Sequence, residues 1–164
     1  EYLAKHPVVG SGKVVGVVNL DMPILTFDFQ DVIAFGADHS TIAKSVEKAI
    51  AADGLKLSPD PAPEQVSFVR TDHYPLVKEG IPAVSLDTGI AGPGKARVEA
   101  SPDNHYHRVS DDMKLPFNWP AAAKFAKINY LIARELSNAA DRPRWYKGDY
   151  FGDQFAKTEA KAER

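Results

Sequence analysis

The amino-acid sequence predicts an α/β domain, with helices packed on the faces of a sheet. Apolar runs typical of buried strands alternate along the chain with segments whose apolar residues repeat at helical spacing. The chain has 164 residues, and a chain of this length can bury about 70% of the surface that it exposes when unfolded. One domain with a single hydrophobic core is therefore expected.

Four short apolar segments are predicted to be strands: residues 13–20, 31–36, 66–69 and 82–86. Residues 13–20 (KVVGVVNL) form a continuous apolar run of the kind found in strands buried on both faces, and Pro23 ends it. Polar residues follow these runs, and ligands of open α/β sheets bind beyond the carboxyl ends of the strands. Asp21 follows the first predicted strand and Asp87 follows the fourth. Each could cap a turn or bind a metal ion.

Three segments are predicted to be helices: residues 41–53, 72–78 and 120–138. Asp38, His39 and Ser40 precede the first as capping residues, and Asp72 is expected to cap the second. Residues 88–104 are rich in glycine and proline and are predicted to be a long loop. The charged tail, residues 157–164, is expected to fray.

Composition excludes several classes of protein and of site. Twenty Lys and Arg against 22 Asp and Glu argue against a broad nucleic-acid-binding surface. No apolar run approaches the roughly 20 residues of a membrane span. The chain has no cysteine, so a metal ion would be held by His, Asp and Glu side chains.

Residues 104–112 (NHYHRVSDD) close the predicted long loop and contain two histidines, His105 and His107. Residues at i and i+2 lie on the same side of an extended segment. A neutral imidazole can bind zinc while a nearby carboxylate orients the ring. A His-x-His pattern in a polar loop is a weak signal, and the spacing leaves both a metal ligand and a solvated histidine open.

Three motifs occur in order along the chain: Asn19-Leu20-Asp21-Met22, Thr71-Asp72-His73 followed by Gly80-Ile81-Pro82-Ala83, and Tyr106-His107 followed by Asp111. Together they resemble the C-terminal part of the catalytic domain of the co-catalytic dizinc aminopeptidases. That group includes bacterial leucyl aminopeptidase, aminopeptidase Y and glutamate carboxypeptidase II. The resemblance implies a three-layer αβα, zinc-exopeptidase-like (phosphorylase/hydrolase-like) mixed sheet, with residues 1–164 forming a partial domain.

The resemblance also assigns roles to individual residues. Asp21 matches the carboxylate ligand of one zinc ion, and His107 matches the histidine ligand of the other. The residues that match neighbours of these ligands are supporting candidates: Asp72, His73, Tyr106 and Asp111. His105 has no counterpart and is interpreted as a solvated loop residue.

The sequence departs from the family pattern in one respect. The family site also requires an upstream His-x-Asp motif and a Glu-Glu pair that includes the general base, and neither occurs in this chain. We therefore expect the chain to be the C-terminal portion of a larger zinc peptidase, inactive by itself and with no catalytic residue of its own. The parent would bind two zinc ions and hydrolyse a peptide or amino-acid amide with an activated water.

Three other functions remain open: a non-catalytic binding module on the same fold, a glutaminyl cyclase-like enzyme, and an interaction domain without a site. In the last case the partner surface would be aromatic, formed by Trp119, Trp145, Tyr146, Tyr150 and Phe151. Expected partners are the missing N-terminal half of the domain and a second copy of the chain through an exposed sheet edge. Export to the periplasm or the extracellular space is expected from the resemblance.

Overall fold

The computed structural model of the protein describes residues 1–23, 25–96, 105 and 108–164. Its sheet contains β1 (Val17–Leu20), β2 (Asp31–Phe35), β3 (Lys56–Ser58) and β4 (Ala83–Thr88). The strand order is β1-β4-β2-β3. β4 is parallel to β1 and antiparallel to β2, while β3 is parallel to β2. The sheet is therefore mixed, as the resemblance implies.

The described helices are α1 (Tyr2–Lys5), α2 (Ile42–Ala52), α3 (Tyr74–Lys78), α4 (Trp119–Ser137) and α5 (Tyr150–Phe155). The helices α2 and α4 pack on one face of the sheet, and α3 and α5 pack on the other. Three 3₁₀ turns span Ala37–His39, Pro63–Gln65 and Ser67–Val69. None of the helices in the described part of the chain has the length and apolar character needed to cross a membrane.

Successive residues of β4 point to opposite faces and thereby divide the core into two clusters. Val84 and Leu86 pack in the cluster that contains the apolar stripes of α2 and α4. Ala83 packs in the second cluster, with Val77 of α3 and Trp145 close to α5. The structure thus confirms the expected three-layer α/β arrangement.

The longest predicted helix forms nearly as expected, and its start has a clear cause. The side chain of Asn118 accepts a hydrogen bond from the backbone N–H of Ala121 at 3.0 Å, which satisfies a free donor of the first turn. Pro120 lies in that turn, where its missing N–H does no harm. The backbone N–H of Asn118 also donates to the carbonyl of Leu25 at 2.6 Å, so α4 starts beside the segment that follows β1.

The prediction of a strand over residues 66–69 is wrong. Val66 has a left-handed backbone with φ of 48°, and residues 67–69 form a 3₁₀ turn that buries Phe68. Hydrophobic burial can thus be achieved by a turn as well as by a strand. The structure instead forms β3 at Lys56–Ser58, a short segment with no apolar run.

The ends of three other elements also differ from the prediction. β1 begins at Val17 and is only half-buried, with Leu20 52% exposed, because it pairs on one side only within the described sheet. β4 continues through Thr88, so Asp87 lies within the strand rather than after it. Asp72 does not cap α3, whose N-cap residue is His73.

The tail over residues 157–164, expected to fray, is paired with the preceding segment. The backbone N–H of Ala162 donates to the carbonyl of Trp145 at 2.8 Å, and the Lys147 N–H donates to the Ala162 carbonyl at 2.9 Å. The ammonium of Lys161 donates to the backbone carbonyls of Gly152 and Ala156. Trp145 is buried in the second core cluster, with its indole N–H donating to the Gly80 carbonyl at 2.8 Å, so that residue is not part of an exposed aromatic surface.

Candidate active site

Two carboxylates lie next to each other in register at the carboxyl ends of the paired parallel strands β1 and β4. Asp21 directly follows β1, and Asp87 is the second-last residue of β4. The parallel register pairs Leu20 with Leu86, which places the following residues, Asp21 and Asp87, side by side at the same edge. We call this the β1–β4 edge. It is the position at which open α/β sheets bind ligands.

Burial dominates the electrostatics of Asp87. It raises the pKa of the Asp87 carboxyl to about 6, against the stabilising hydrogen bond from the Thr88 N–H, which lies 2.7 Å from Oδ1. The negative charge of Asp21 raises this pKa further. The β1–β4 edge thus brings together carboxylate oxygens whose charges repel, an arrangement that a bound cation would stabilise.

His73 is a buried imidazole close to this edge. Its side chain is 1% exposed, its Nδ1 lies 2.6 Å from Thr71 Oγ1, and its ring contacts Phe68. Burial lowers the pKa of His73, and the Phe68 backbone and the charges of Asp21 and Asp72 oppose this shift. The Nε2 atom is buried and has no hydrogen bond of normal geometry within the described part of the chain. His73 is therefore a buried imidazole beside the charges of Asp21 and Asp72.

The remaining predicted site residues are spread more widely. Asp72 is exposed before α3, and Asp111 is exposed in a turn in which its N–H donates to the Arg108 carbonyl at 3.0 Å. His105 is half-buried, with Nδ1 3.0 Å from Ser110 Oγ. Tyr106 and His107 lie outside the described residues, as do residues 97–104 of the predicted loop.

The chemistry of the predicted ligands fits zinc. A carboxylate oxygen from Asp21 and an imidazole nitrogen from His107 are both common zinc donors. Within residues 1–23, 25–96, 105 and 108–164, no three His, Asp or Glu side chains are grouped so as to hold a metal ion. Of the two predicted ligands, Asp21 lies within the described residues and His107 does not.

Asp31, a residue that the sequence did not single out, holds the segment after β4. The buried carboxylate of Asp31 accepts hydrogen bonds from the Ser58 hydroxyl at 2.5 Å and from the Ala91 N–H at 3.0 Å. The Asp31 carbonyl also accepts from the Gly89 N–H at 2.7 Å. A Cβ at Gly89 would overlap the Asp31 carboxylate, so glycine is required there. The only sequence signal was an aspartate at the start of an apolar strand.

Comparison with known proteins identifies the family. The model of a family described as "Peptidase family M28" matches residues 1–133. This chain belongs to peptidase family M28. The match covers the β1–β4 edge and also His107, and it confirms the resemblance at the level of zinc-dependent metallopeptidases. No curated protein and no solved structure was found to match this M28 chain.

Proposed function

We propose that this protein is the C-terminal portion of an M28 aminopeptidase with a two-zinc site, in which Asp21 and His107 each bind one metal ion. The observation that supports this most strongly is the position of Asp21 beside Asp87 at the β1–β4 edge. Ligand sites of open α/β sheets occur at such an edge, and the family match spans both proposed ligands.

Zinc would supply this site with a water molecule of lowered pKa for attack on the peptide carbonyl. Asp21 would bind one ion through its carboxylate, and His107 would bind the other through a neutral imidazole. Asp111 would orient the His107 ring, and Tyr106 would either line the substrate pocket or donate a hydrogen bond to a reaction intermediate. Each role concerns binding or orientation, so these residues do not by themselves move the proton of the attacking water.

The general base would come from a segment other than residues 1–164, since this sequence contains neither a Glu-Glu pair nor a His-x-Asp motif. The chain by itself is then inactive. The free side of β1 is a suitable place for the remaining half of the domain to pair, because β1 is half-buried and bonded only to β4 in the described sheet. The substrate would be a peptide or an amino-acid amide.

Replacing Asp21 by alanine in the complete peptidase tests the assignment. We expect kcat/KM for leucine p-nitroanilide to fall by at least about 100-fold, because loss of a residue that merely supports a ligand already costs 10–100-fold. Zinc content should fall in parallel, while circular dichroism and the melting temperature of the metal-free protein stay close to those of the wild type.

Asp141→Ala is the matched control, because Asp141 is exposed in the segment that follows α4 and not at the β1–β4 edge. It should keep both full zinc content and full activity. Normal turnover and normal zinc content in Asp21→Ala would contradict the ligand assignment.

A further inference from the structure

A concave surface lies between β2, β3 and the 3₁₀ turns. It encloses about 650 Å³, within the usual range of ligand-binding pockets. We call it the β3 groove. Its lining is largely apolar and includes Ile33, Phe35, Leu57, Val66, Phe68 and Phe151.

The rim of the β3 groove is acidic. Asp38, Glu47 and Asp60 line it, and no Lys or Arg is present among the described lining residues. His39 lies at one end, where its Nδ1 contacts the buried carboxylate of Asp149 at 2.6 Å. The negative potential of Asp38, Glu47 and Asp60 favours a ligand in which positively charged groups lie next to apolar ones.

The groove is built with local backbone strain. Val66 has φ of 48°, an uncommon conformation for a β-branched residue, and its side chain is 56% exposed on the groove wall. Gly36, with φ of 84°, lets the Phe68 ring lie against the backbone as a floor, since a Cβ there would overlap the ring. Such strain concentrates at sites that hold ligands.

Most of the groove lies away from the proposed zinc ligand Asp21, although its lining includes Ile33, which pairs with Asp87 across β2 and β4. β2 runs antiparallel to β4. The 3₁₀ turn Ala37–His39, which follows β2, therefore lies at the opposite end of the strands from Asp21 and Asp87. β3 is also at the opposite end of the strand order from β1. A strand that extended the sheet beyond β1 would therefore leave the groove open.

We propose that the β3 groove binds an extended segment of a partner protein in which apolar side chains alternate with lysine or arginine. The apolar side chains would pack on Phe35 and Phe68. The basic side chains would pair with Asp38 and Glu47 at the rim. This inference does not depend on peptidase activity.

Isothermal titration calorimetry with two blocked peptides tests the proposal. The probes are acetyl-Leu-Lys-Leu-Lys-amide and acetyl-Leu-Glu-Leu-Glu-amide, whose blocked ends leave no free terminus for an exopeptidase site. We expect the lysine peptide to bind, more weakly as salt is raised, and the glutamate peptide to bind at least tenfold more weakly. Equal binding of both peptides, or binding of neither, would overturn the proposal.

Variants locate the binding on the protein. Asp38→Lys combined with Glu47→Lys should weaken the lysine peptide at least tenfold, whereas Asp141→Lys with Asp153→Lys makes the same change of charge outside the groove lining and should not. Chelation of zinc in the complete, zinc-loaded peptidase should also leave binding unchanged. Loss of binding on chelation would place the peptide at the metal site and overturn the proposal.

Val66→Gly tests the apolar wall. Glycine accepts the positive φ, so the protein should melt at the same or a higher temperature while it binds the lysine peptide more weakly. Unchanged peptide affinity in this variant would show that the strained residue does not contact the ligand and would overturn the assigned site.

Discussion

Replacing Asp87 by asparagine is expected to stabilise the metal-free protein at neutral pH. Burial raises the pKa of Asp87 from its usual 3.8 to about 6. One pKa unit corresponds to about 1.4 kcal/mol, so ionising the folded carboxyl costs up to about 3 kcal/mol. The asparagine amide oxygen can still accept the Thr88 N–H that lies 2.7 Å from Asp87 Oδ1. The substitution therefore removes the negative charge and keeps the hydrogen bond.

The sign of the pH dependence follows from the raised pKa. Below pH 3.8 the carboxyl is protonated in both the folded and the unfolded protein, and the cost is absent. The cost grows as the pH rises towards about 6 and is complete above it. The stability gained by Asp87→Asn should therefore rise from near zero at about pH 4 to roughly 1–3 kcal/mol at about pH 7.

Urea unfolding followed by circular dichroism, at several pH values and with EDTA present, measures this gain. EDTA is needed because a bound cation would itself stabilise the carboxylates. The exposed Asp141→Asn serves as the control and should give no pH-dependent gain. A loss of stability in Asp87→Asn at neutral pH, or a gain that does not change with pH, would refute the reasoning.

Three other changes test the packing around the sheet. Gly36→Ala should destabilise the fold by more than about 2 kcal/mol in urea unfolding, because φ is 84° and the new methyl group overlaps Phe68. His39→Ala removes the 2.6 Å contact to the buried Asp149 carboxylate and should cost about 1–3 kcal/mol by the same assay. Burial lowers the pKa of His73, so stability should fall as the pH drops below 6.5, where the unfolded chain alone takes up the proton. Urea unfolding of His73→Leu at several pH values should show a smaller loss of stability below pH 6.5 than in the wild type.

Long elements could be predicted because their patterns repeat. The apolar stripes of α2 and α4 extend over several turns, and both helices form within two residues of the predicted ends. The apolar run at residues 66–69 is too short for its period to be read, and a 3₁₀ turn buries Phe68 there. β3 has no apolar pattern that would predict a strand. It forms through backbone pairing with β2, which the side chains do not signal.

The candidate site was predictable only in part. Asp21 stands out as a polar residue after an apolar run, but its position beside Asp87 depends on strand order and register, which no local pattern encodes. The contact between His39 and Asp149 joins residues 110 positions apart and had no sequence signal. The burial of His73 likewise follows from how Phe68 packs, and not from the motif around it.

The decisive measurement is the zinc retained by the purified 164-residue chain, determined by atomic emission after dialysis against metal-free buffer. In the proposed assignment Asp21 and His107 would each give one ligand to one of two metal ions, fewer than the three or four protein ligands of a stable zinc centre. The account predicts much less than one zinc ion per chain. Two tightly held zinc ions would contradict it, because the chain would then supply a complete site without the upstream ligands.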